Sequence, residues 1–183
     1  MRKMVVAVLV AALAGALPHA LTADEPMATV RVGGGAFYNV KAAASKGYPG
    51  AHIALDLRLP DKNILISPFG DYYWKSGATV ALGGVHAFAK PPMRSDLVSL
   101  YFGAGAGMIR LTKFRTTVVD TINGKPTPRE VFKNRNLKLI DLVGGLEVKM
   151  TRTISIFFEP RYVRGDSTLT GVSGHAGLSF HMM

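Results

Sequence analysis

Residues 51–59 alternate so that one face of an extended chain is purely aliphatic and the other carries charge. The aliphatic face holds Ile53, Leu55, Leu57 and Leu59, and the opposite face holds His52, Ala54, Asp56 and Arg58. This period of two predicts a β-strand with an apolar side and a polar side. In a soluble sheet the apolar side covers a core. In a membrane barrel it faces lipid, and the charges point into the lumen.

The same alternation recurs along the chain. Period-two segments divided by turn signals fall near residues 29–39, 51–59, 63–74, 77–89, 97–113, 137–149, 152–164 and 170–182. Their polar faces are rich in Gly, Ala and Ser, as expected where side chains crowd inside a narrow barrel. The sequence therefore predicts an all-β fold, an eight-stranded antiparallel up-and-down transmembrane β-barrel.

The N-terminal residues have the layout of a secretory signal peptide. Arg2 and Lys3 precede an apolar stretch, 4–17, and small residues follow before Asp24. The stretch is shorter than the ~20 residues of a transmembrane helix, which disfavours an uncleaved anchor. Cleavage after Ala23 fits best, with Ala20 as the alternative. We expect a signal peptide at 1–23 and one barrel domain at 24–183.

Charge and cysteine content narrow the choice of partner. The chain has a formal net charge of +10 and no cysteine, so an exported domain has no disulfide to stabilise it. A basic balance would indicate nucleic acid in a cytosolic protein, but export makes that interpretation poor. We expect no nucleic-acid partner, and instead outer-membrane lipid headgroups or lipopolysaccharide phosphates.

Charged residues of both signs fall on the predicted inward faces. Unpaired charges in a narrow lumen are costly, so opposite signs on neighbouring strands should pair. The predicted members of this network are Asp56, Arg58, Glu147, Lys149, Glu159 and Arg161. Such a network would plug the barrel and leave no wide pore; the alternative is six solvated surface residues.

Connections and aromatic residues suggest an orientation. If the first strand runs outward, the longest connection, 114–136, lies on the outer side, where barrels of this type carry their longer loops. Aromatic side chains concentrate at membrane interfaces. We assign Tyr72, Trp74 and Tyr162 to the outer interface, and Phe88 and Phe180 to the periplasmic one.

The long connection and its base are basic. They carry Lys113, Arg115, Lys125, Arg129, Lys133 and Arg135 against only Asp120 and Glu130. Asn123-Gly124 is typical of a tight turn, so residues 116–122 are predicted to form a protruding hairpin arm. Its positive excess could contact lipopolysaccharide phosphates or an acidic partner; a merely solvated loop is the alternative.

The sequence gives only weak evidence for a metal or catalytic site. His52, His175 and His181 fall on inward faces and two could approach, but no cysteine or close carboxylate accompanies them at ligand spacing, so no metal and no cofactor is expected. His86 is assigned to the apolar outward face.

Ser173 and His175, with Asp56 or Glu159, could form a hydrolase set. They project inward, whereas the site of a lipid enzyme must face lipid. The sequence therefore favours a protein that is not an enzyme. Gly103, Gly105 and Gly107 lie within a strand and do not form a phosphate-binding loop.

Several features together resemble the small outer-membrane β-barrel family of the OmpA and OmpX type. They are the export signal, the eight alternating segments, the glycine-alternating stretch from Tyr101 to Gly107, Glu159-Pro160-Arg161-Tyr162 and an amphipathic last strand. The resemblance implies an eight-stranded barrel, insertion by the barrel assembly machinery and the outer membrane of a Gram-negative bacterium. It also implies a structural or surface-interaction role. The usual terminal aromatic residue is missing, since Phe180 is followed by His181, Met182 and Met183.

Two other functions remain open from sequence. A soluble exported carrier of the lipocalin kind would use the aliphatic faces to line a ligand cavity. An outer-membrane enzyme that modifies lipids would need the serine and histidine set described above.

Overall fold

The computed structural model describes residues 27–40, 47–59, 63–91, 97–122, 125–165 and 169–182. Within these ranges the side chains of 114–118, 120–122 and 126–133 are not described. The predicted signal peptide and its cleavage sites lie outside the described residues. No helix in the described part of the chain is long and apolar enough to span a membrane.

Eight strands form the structure. They are β1 (Ala28–Asn39), β2 (Tyr48–Arg58), β3 (Ile64–Lys75), β4 (Ala78–Ala89), β5 (Val98–Ile122), β6 (Lys125–Lys149), β7 (Ile154–Arg164) and β8 (Thr170–Met182). Each strand pairs antiparallel with the next, and β8 pairs with β1, from Ala28 opposite Met182 to Asn39 opposite Gly171. The predicted eight-stranded antiparallel barrel is confirmed. Closure leaves no free edge within the barrel wall.

The two faces of the wall differ in the opposite sense from a soluble protein. Large apolar side chains are exposed on the outer surface, among them Val32, Val85, Phe102, Met108, Ile140, Leu142, Ile156, Phe158 and Leu178. Charged and polar side chains are buried inside, among them Arg31, His52, Asp56, Asp71, His86, Asp141, Glu159, Arg161 and His175. Along β2 the predicted alternation is present, although outward Leu55 is only 6% exposed.

β5 and β6 extend well past their neighbours. β4 pairs with β5 only as far as Thr112, and β7 pairs with β6 only from Ile140 onward. Beyond those points, residues 114–122 pair with 125–133 as a two-stranded ribbon. The register shifts between Leu111 and Phe114, where Lys113 has a φ of 50°. The predicted hairpin arm is confirmed, but the connection predicted as a loop is mostly strand.

This ribbon marks one end of the barrel, called here the hairpin end. Where β1 adjoins β2, β3 adjoins β4 and β7 adjoins β8 along the chain, their strand ends lie at the same end. Tyr72 and Trp74 are exposed there with ring centroids 5.9 Å apart, and Tyr162 is exposed near the end of β7. Phe180 is exposed towards the opposite end, near the end of β8. These four aromatic residues lie on the outward face near strand ends, and their assignment to membrane interfaces stays a prediction.

The structure corrects the faces predicted for Phe88 and His86. Both were assigned to the outer face of β4, but Phe88 is 1% exposed and His86 is fully buried inside the barrel. β4 carries apolar residues on both faces, with Val80 and Leu82 inside and Val85 outside. A period of two therefore does not tell one face from the other, and a shift of one residue reverses every side chain.

Candidate functional site

An ion-pair network crosses the middle of the barrel interior. Arg31 of β1 donates from Nη2 to Asp56 Oδ1 at 2.9 Å and from Nη1 to the hydroxyl of Tyr101 at 2.9 Å. Its Nη1 also contacts Oε2 of Glu159. One guanidinium therefore joins carboxylates from β2 and β7, and charge-assisted contacts of this kind are the stronger hydrogen bonds in proteins.

The network continues through a second guanidinium. Arg161 donates from Nη2 to Glu159 Oε1 at 2.8 Å and from Nη1 to Asp71 Oδ2 at 2.7 Å. Asp71 also lies 2.6 Å from His52 through its Oδ1. Glu159 is thus shared by two arginines, and all of these side chains are buried. Removing one charged member would take one ion-pair partner away from a buried charge, which is costly.

A histidine–carboxylate pair adjoins the network through Arg161. His86 Nε2 is 2.8 Å from Asp141 Oδ2, and Arg161 Nε is 3.7 Å from the same oxygen. His86 belongs to β4 and Asp141 to β6, while β5 between them contributes Gly105, which pairs with both. A Cβ at Gly105 would collide with the ring of His86 and the carboxylate of Asp141. The glycine therefore allows side chains from two strands that are not neighbours to meet.

Aromatic rings pack against both guanidinium groups. The Cζ of Arg31 lies 5.1 Å from the ring centroids of Phe88 and Tyr101, and that of Arg161 lies 4.5 Å from the centroid of Phe69. These are cation–π distances. The rings fill the space around the charges and keep the guanidinium planes in place.

The interior has layers above and below the network. An apolar cluster fills the hairpin end and consists of Phe37, Ala54, Phe69, Tyr73, Val80, Leu82, Ile109, Leu111, Leu137, Leu139, Val163 and Leu169. At the opposite end Glu147 contacts Lys90 at 3.1 Å and His181 at 3.4 Å. The sequence did not predict the apolar layer, because its members are spread over seven strands and one connection.

The predicted network is only partly brought together. Asp56, Glu159 and Arg161 lie in the central network, whereas Glu147 lies apart near the barrel end. Arg58 donates to Asn63 at 3.4 Å in an exposed position, and Lys149 is exposed at the end of β6. Both follow the inward alternation but stand where the strands end and water is available.

Several central residues were missed from the sequence: Arg31, Asp71, Tyr101, His86 and Asp141. The alternation of Thr29 and Arg31 with Val30 and Val32 was a usable signal, since it puts the arginine on the polar face of β1. No comparable signal exists for His86.

The residues considered for chemistry lie inside the barrel. Ser173 is 5% exposed and His175 is 1% exposed, on the face away from the outer apolar surface. His175 contacts the hydroxyl of Tyr73 through Nε2 and stacks on His52 with centroids 4.6 Å apart. Neither residue lies on the surface where a lipid substrate would be bound.

The basic residues lie on or at the base of the ribbon. Lys113 and Lys125 are exposed, and Arg135 is half-buried. Arg115, Arg129 and Lys133 occupy paired positions of the ribbon strands, and their side chains lie outside the described set.

A closed barrel with charges inside and apolar side chains outside defines the class of transmembrane β-barrels. Solved structures of small outer-membrane barrels share this fold. Neisserial surface protein A (NspA) superposes with a TM-score of 0.62 at 14% identity, over 85% of this chain and 97% of that one. The attachment invasion locus protein Ail of Yersinia pestis, in complex with the heparin analogue sucrose octasulfate, gives 0.56 at 12% identity, over 86% and 99%.

The N-terminal β-barrel domain of Pseudomonas aeruginosa OprF gives a TM-score of 0.54 at 12% identity, over 84% of this chain and 97% of that one. At these identities the likeness concerns the fold. No protein-family model matches the chain, and no curated protein matches it significantly.

Proposed function

We propose that the protein is a small integral β-barrel of the bacterial outer membrane with a structural or surface-interaction role. The observation that carries this proposal is the inverted burial of the wall. Leu142 and Phe158 expose 60% and 54% of their surface outside, while Arg31 and Glu159 are buried inside. Large apolar patches of this kind need a non-aqueous partner. In this proposal a cleaved signal peptide directs export, and the barrel assembly machinery inserts the chain.

Cell fractionation tests the location. We expect the protein in the outer-membrane fraction, with the N-terminus of the mature form at residue 21 or 24, and with different gel mobility in boiled and unboiled samples. Recovery in the soluble fraction without a mobility shift would contradict the proposal and favour the lipocalin-like carrier.

We also propose that the interior is closed to ions and solutes. The central network joins β1, β2, β3 and β7 through short contacts, and the apolar cluster lies above it. Planar-bilayer recordings of wild-type protein should show no stepped conductance. Arg161→Gln loosens the centre and should allow rare openings, whereas Lys149→Gln, outside the network, should not. Regular conductance of the wild-type protein would refute a closed lumen.

The basic ribbon is proposed to contact anionic groups at the cell surface, with lipopolysaccharide phosphates as the first choice. Residues 113–136 contain six basic and two acidic residues, a formal excess of +4. The ribbon stands beyond the last pairs made by β4 and β7. Arginine and lysine bind phosphate and sulfate through charge-assisted hydrogen bonds.

A charge-matched pair of variants tests this contact. Lys113→Gln with Lys125→Gln removes two exposed charges from the ribbon, and Lys149→Gln with Arg152→Gln removes two from the opposite end. We expect only the ribbon variant to bind vesicles containing lipopolysaccharide more weakly, with a smaller salt dependence. Sucrose octasulfate, the ligand in the Ail structure, is a useful soluble competitor. Equal effects of both variants would indicate a general charge effect and refute a ribbon site.

A further inference from the structure

Three possible metal ligands meet near the centre of the barrel. His52 Nδ1 lies 2.6 Å from Asp71 Oδ1, and His175 Nε2 lies 4.0 Å from the same oxygen. The three ligand atoms lie within 4.8 Å of one another, and all three side chains are buried. Sequence spacing predicted no carboxylate close to the histidines, but the fold places Asp71 beside both of them.

Two glycines of β1 lie between the strands that carry the histidines. β1 lies between β2 and β8, where Gly33 pairs with His52 and Gly35 pairs with His175. Both glycines occupy inward positions, so the two imidazoles stack across the strand at 4.6 Å and 22°. A Cβ on Gly35 would lie 2.7 Å from His175 Cδ2. The fold thus keeps space for a histidine pair beside one carboxylate.

We propose that His52, Asp71 and His175 form a binding site for a divalent transition-metal ion of the zinc class. Two imidazoles and one carboxylate are a common ligand set for such ions. Ligand atoms around a tetrahedral zinc ion lie about 3.3 to 3.6 Å apart, given bond lengths of about 2.0 to 2.2 Å. The two distances to Asp71 Oδ1, 2.6 and 4.0 Å, therefore need to change by no more than about 1 Å each. The hydroxyl of Tyr73, already in contact with His175 Nε2, offers a fourth oxygen.

The groups around these ligands suit a metal site. Arg161 Nη1 holds the other carboxylate oxygen of Asp71 at 2.7 Å, which leaves Oδ1 to face the histidines. His175 Nδ1 lies 4.0 Å from Glu159 Oε1, so a carboxylate stands on the far side of the ring from the ligand atom. At 4.0 Å the two atoms do not form a hydrogen bond. An approach of about 1 Å would let the carboxylate accept from Nδ1–H and orient the ring, as outer-shell carboxylates do in metal sites.

Charge balance favours a cation at this position. Among the described residues, the middle of the interior buries two guanidinium groups, Arg31 and Arg161, and four carboxylates, Asp56, Asp71, Asp141 and Glu159. With neutral imidazoles the excess is two negative charges, which one divalent ion neutralises. Neutral imidazoles are also the form that binds metal and the form that stacks without repulsion.

The burial of the site dictates how it is tested. Because His175 is 1% exposed, the ion is taken up as the barrel forms. The barrel is therefore refolded into detergent with Zn²⁺ or Co²⁺, passed over a desalting column and analysed for bound metal by mass spectrometry. We expect about one ion per chain, and with Co²⁺ the intense visible absorption of a tetrahedral complex.

Substitutions distinguish metal binding at this site from metal binding at other histidines. His175→Gln and His52→Gln should lower metal affinity at least about tenfold, the lower end of the loss seen even for outer-shell changes. His86→Gln is the matched control, since His86 is equally buried and bonded to a carboxylate but has no second histidine in the described cluster. The gel mobility shift verifies that each variant has folded.

Two results would overturn the site. One is wild-type protein that retains no Zn²⁺ and shows no tetrahedral Co²⁺ spectrum. The other is an equal loss of metal in His86→Gln and His175→Gln. The wild-type measurement stands alone if a variant fails to fold. A protein that binds metal here but fractionates as soluble would separate this proposal from the outer-membrane proposal.

Discussion

His86 Nε2 and Asp141 Oδ2 lie 2.8 Å apart although their strands, β4 and β6, are not neighbours in the barrel. The strand between them supplies Gly105 at the position opposite both residues. A related arrangement occurs at β1, where Gly33 lies opposite His52 and Gly35, two residues further on, lies opposite His175. A glycine on the inner face of a strand thus allows side chains of the two strands on either side of it to meet.

Gly105→Ala tests this arrangement. The added Cβ would collide with both His86 and Asp141, so one of the two must move. We expect a loss of about 1 to 3 kcal/mol in the free energy of unfolding, typical of an overpacked interior. The measurement is a urea titration of the protein refolded in lipid vesicles.

The matched control for that substitution is Gly174→Ala. A Cβ at Gly174 meets no atom within 4 Å, and its strand, β8, is regular. We expect a free energy of unfolding close to that of the wild-type protein. If both alanine variants lose the same amount, the effect belongs to glycine in strands generally and not to the contact between His86 and Asp141.

Glu159→Gln tests the sharing of one carboxylate by two arginines. The amide keeps the shape of the side chain but removes the negative charge that faces Arg31 and Arg161. Breaking a buried ion pair typically costs about 3 to 5 kcal/mol. Because this carboxylate belongs to two pairs, we expect a loss in that range in the same urea titration.

The control, Glu147→Gln, changes a carboxylate near the barrel end. Its partner Lys90 has a side chain 31% exposed to solvent, so water replaces much of the lost interaction. We expect a clearly smaller loss of stability. Similar losses in the two variants would show that pairing Glu159 with two arginines adds no stability beyond that of a single ion pair near the barrel end.

The sequence could predict the barrel because its decisive signal is periodic. Alternation such as that of Ile53 and Leu57 with His52 and Asp56 recurs in several segments, and eight such segments suffice to close a small barrel. The partners inside could not be found in this way. Which charges meet depends on the stagger of the strands around the barrel, and that stagger places Arg31 against Glu159 at a separation of 128 residues.

Strands that are apolar on both faces limit the prediction in a second way, because alternation does not show which face points inward. β4 is apolar on both faces, so the alternation left Phe88 on the wrong side. The contact of Phe88 with Arg31 exists only once β1 and β4 lie across the interior from each other. Contacts of this kind come from closure of the barrel, and no local pattern encodes them.

Arg31→Lys tests the planar guanidinium. Arg31 contacts Asp56, Glu159 and the Tyr101 hydroxyl while it lies over aromatic rings. A lysine keeps the charge but has a single ammonium group and cannot hold two carboxylates with a planar fork. We expect a loss of about 2 kcal/mol in the free energy of unfolding, on the scale of one or two charged hydrogen bonds. An Arg31→Lys barrel as stable as the wild type would mean that charge alone matters here.

Leu142→Arg tests whether the outer wall faces lipid. Leu142 is 60% exposed on the barrel wall, whereas Val119 is 62% exposed on the ribbon beyond it. In water both substitutions would be tolerated equally, since each adds a charge to an exposed site. In a bilayer an arginine on the lipid-facing wall costs up to about 2 to 4 kcal/mol, depending on its depth, and little outside the membrane. We therefore expect Leu142→Arg to reduce stability in lipid vesicles and Val119→Arg to leave it nearly unchanged. Equal stability of the two variants in vesicles would contradict a lipid-facing wall, even if both proteins fold.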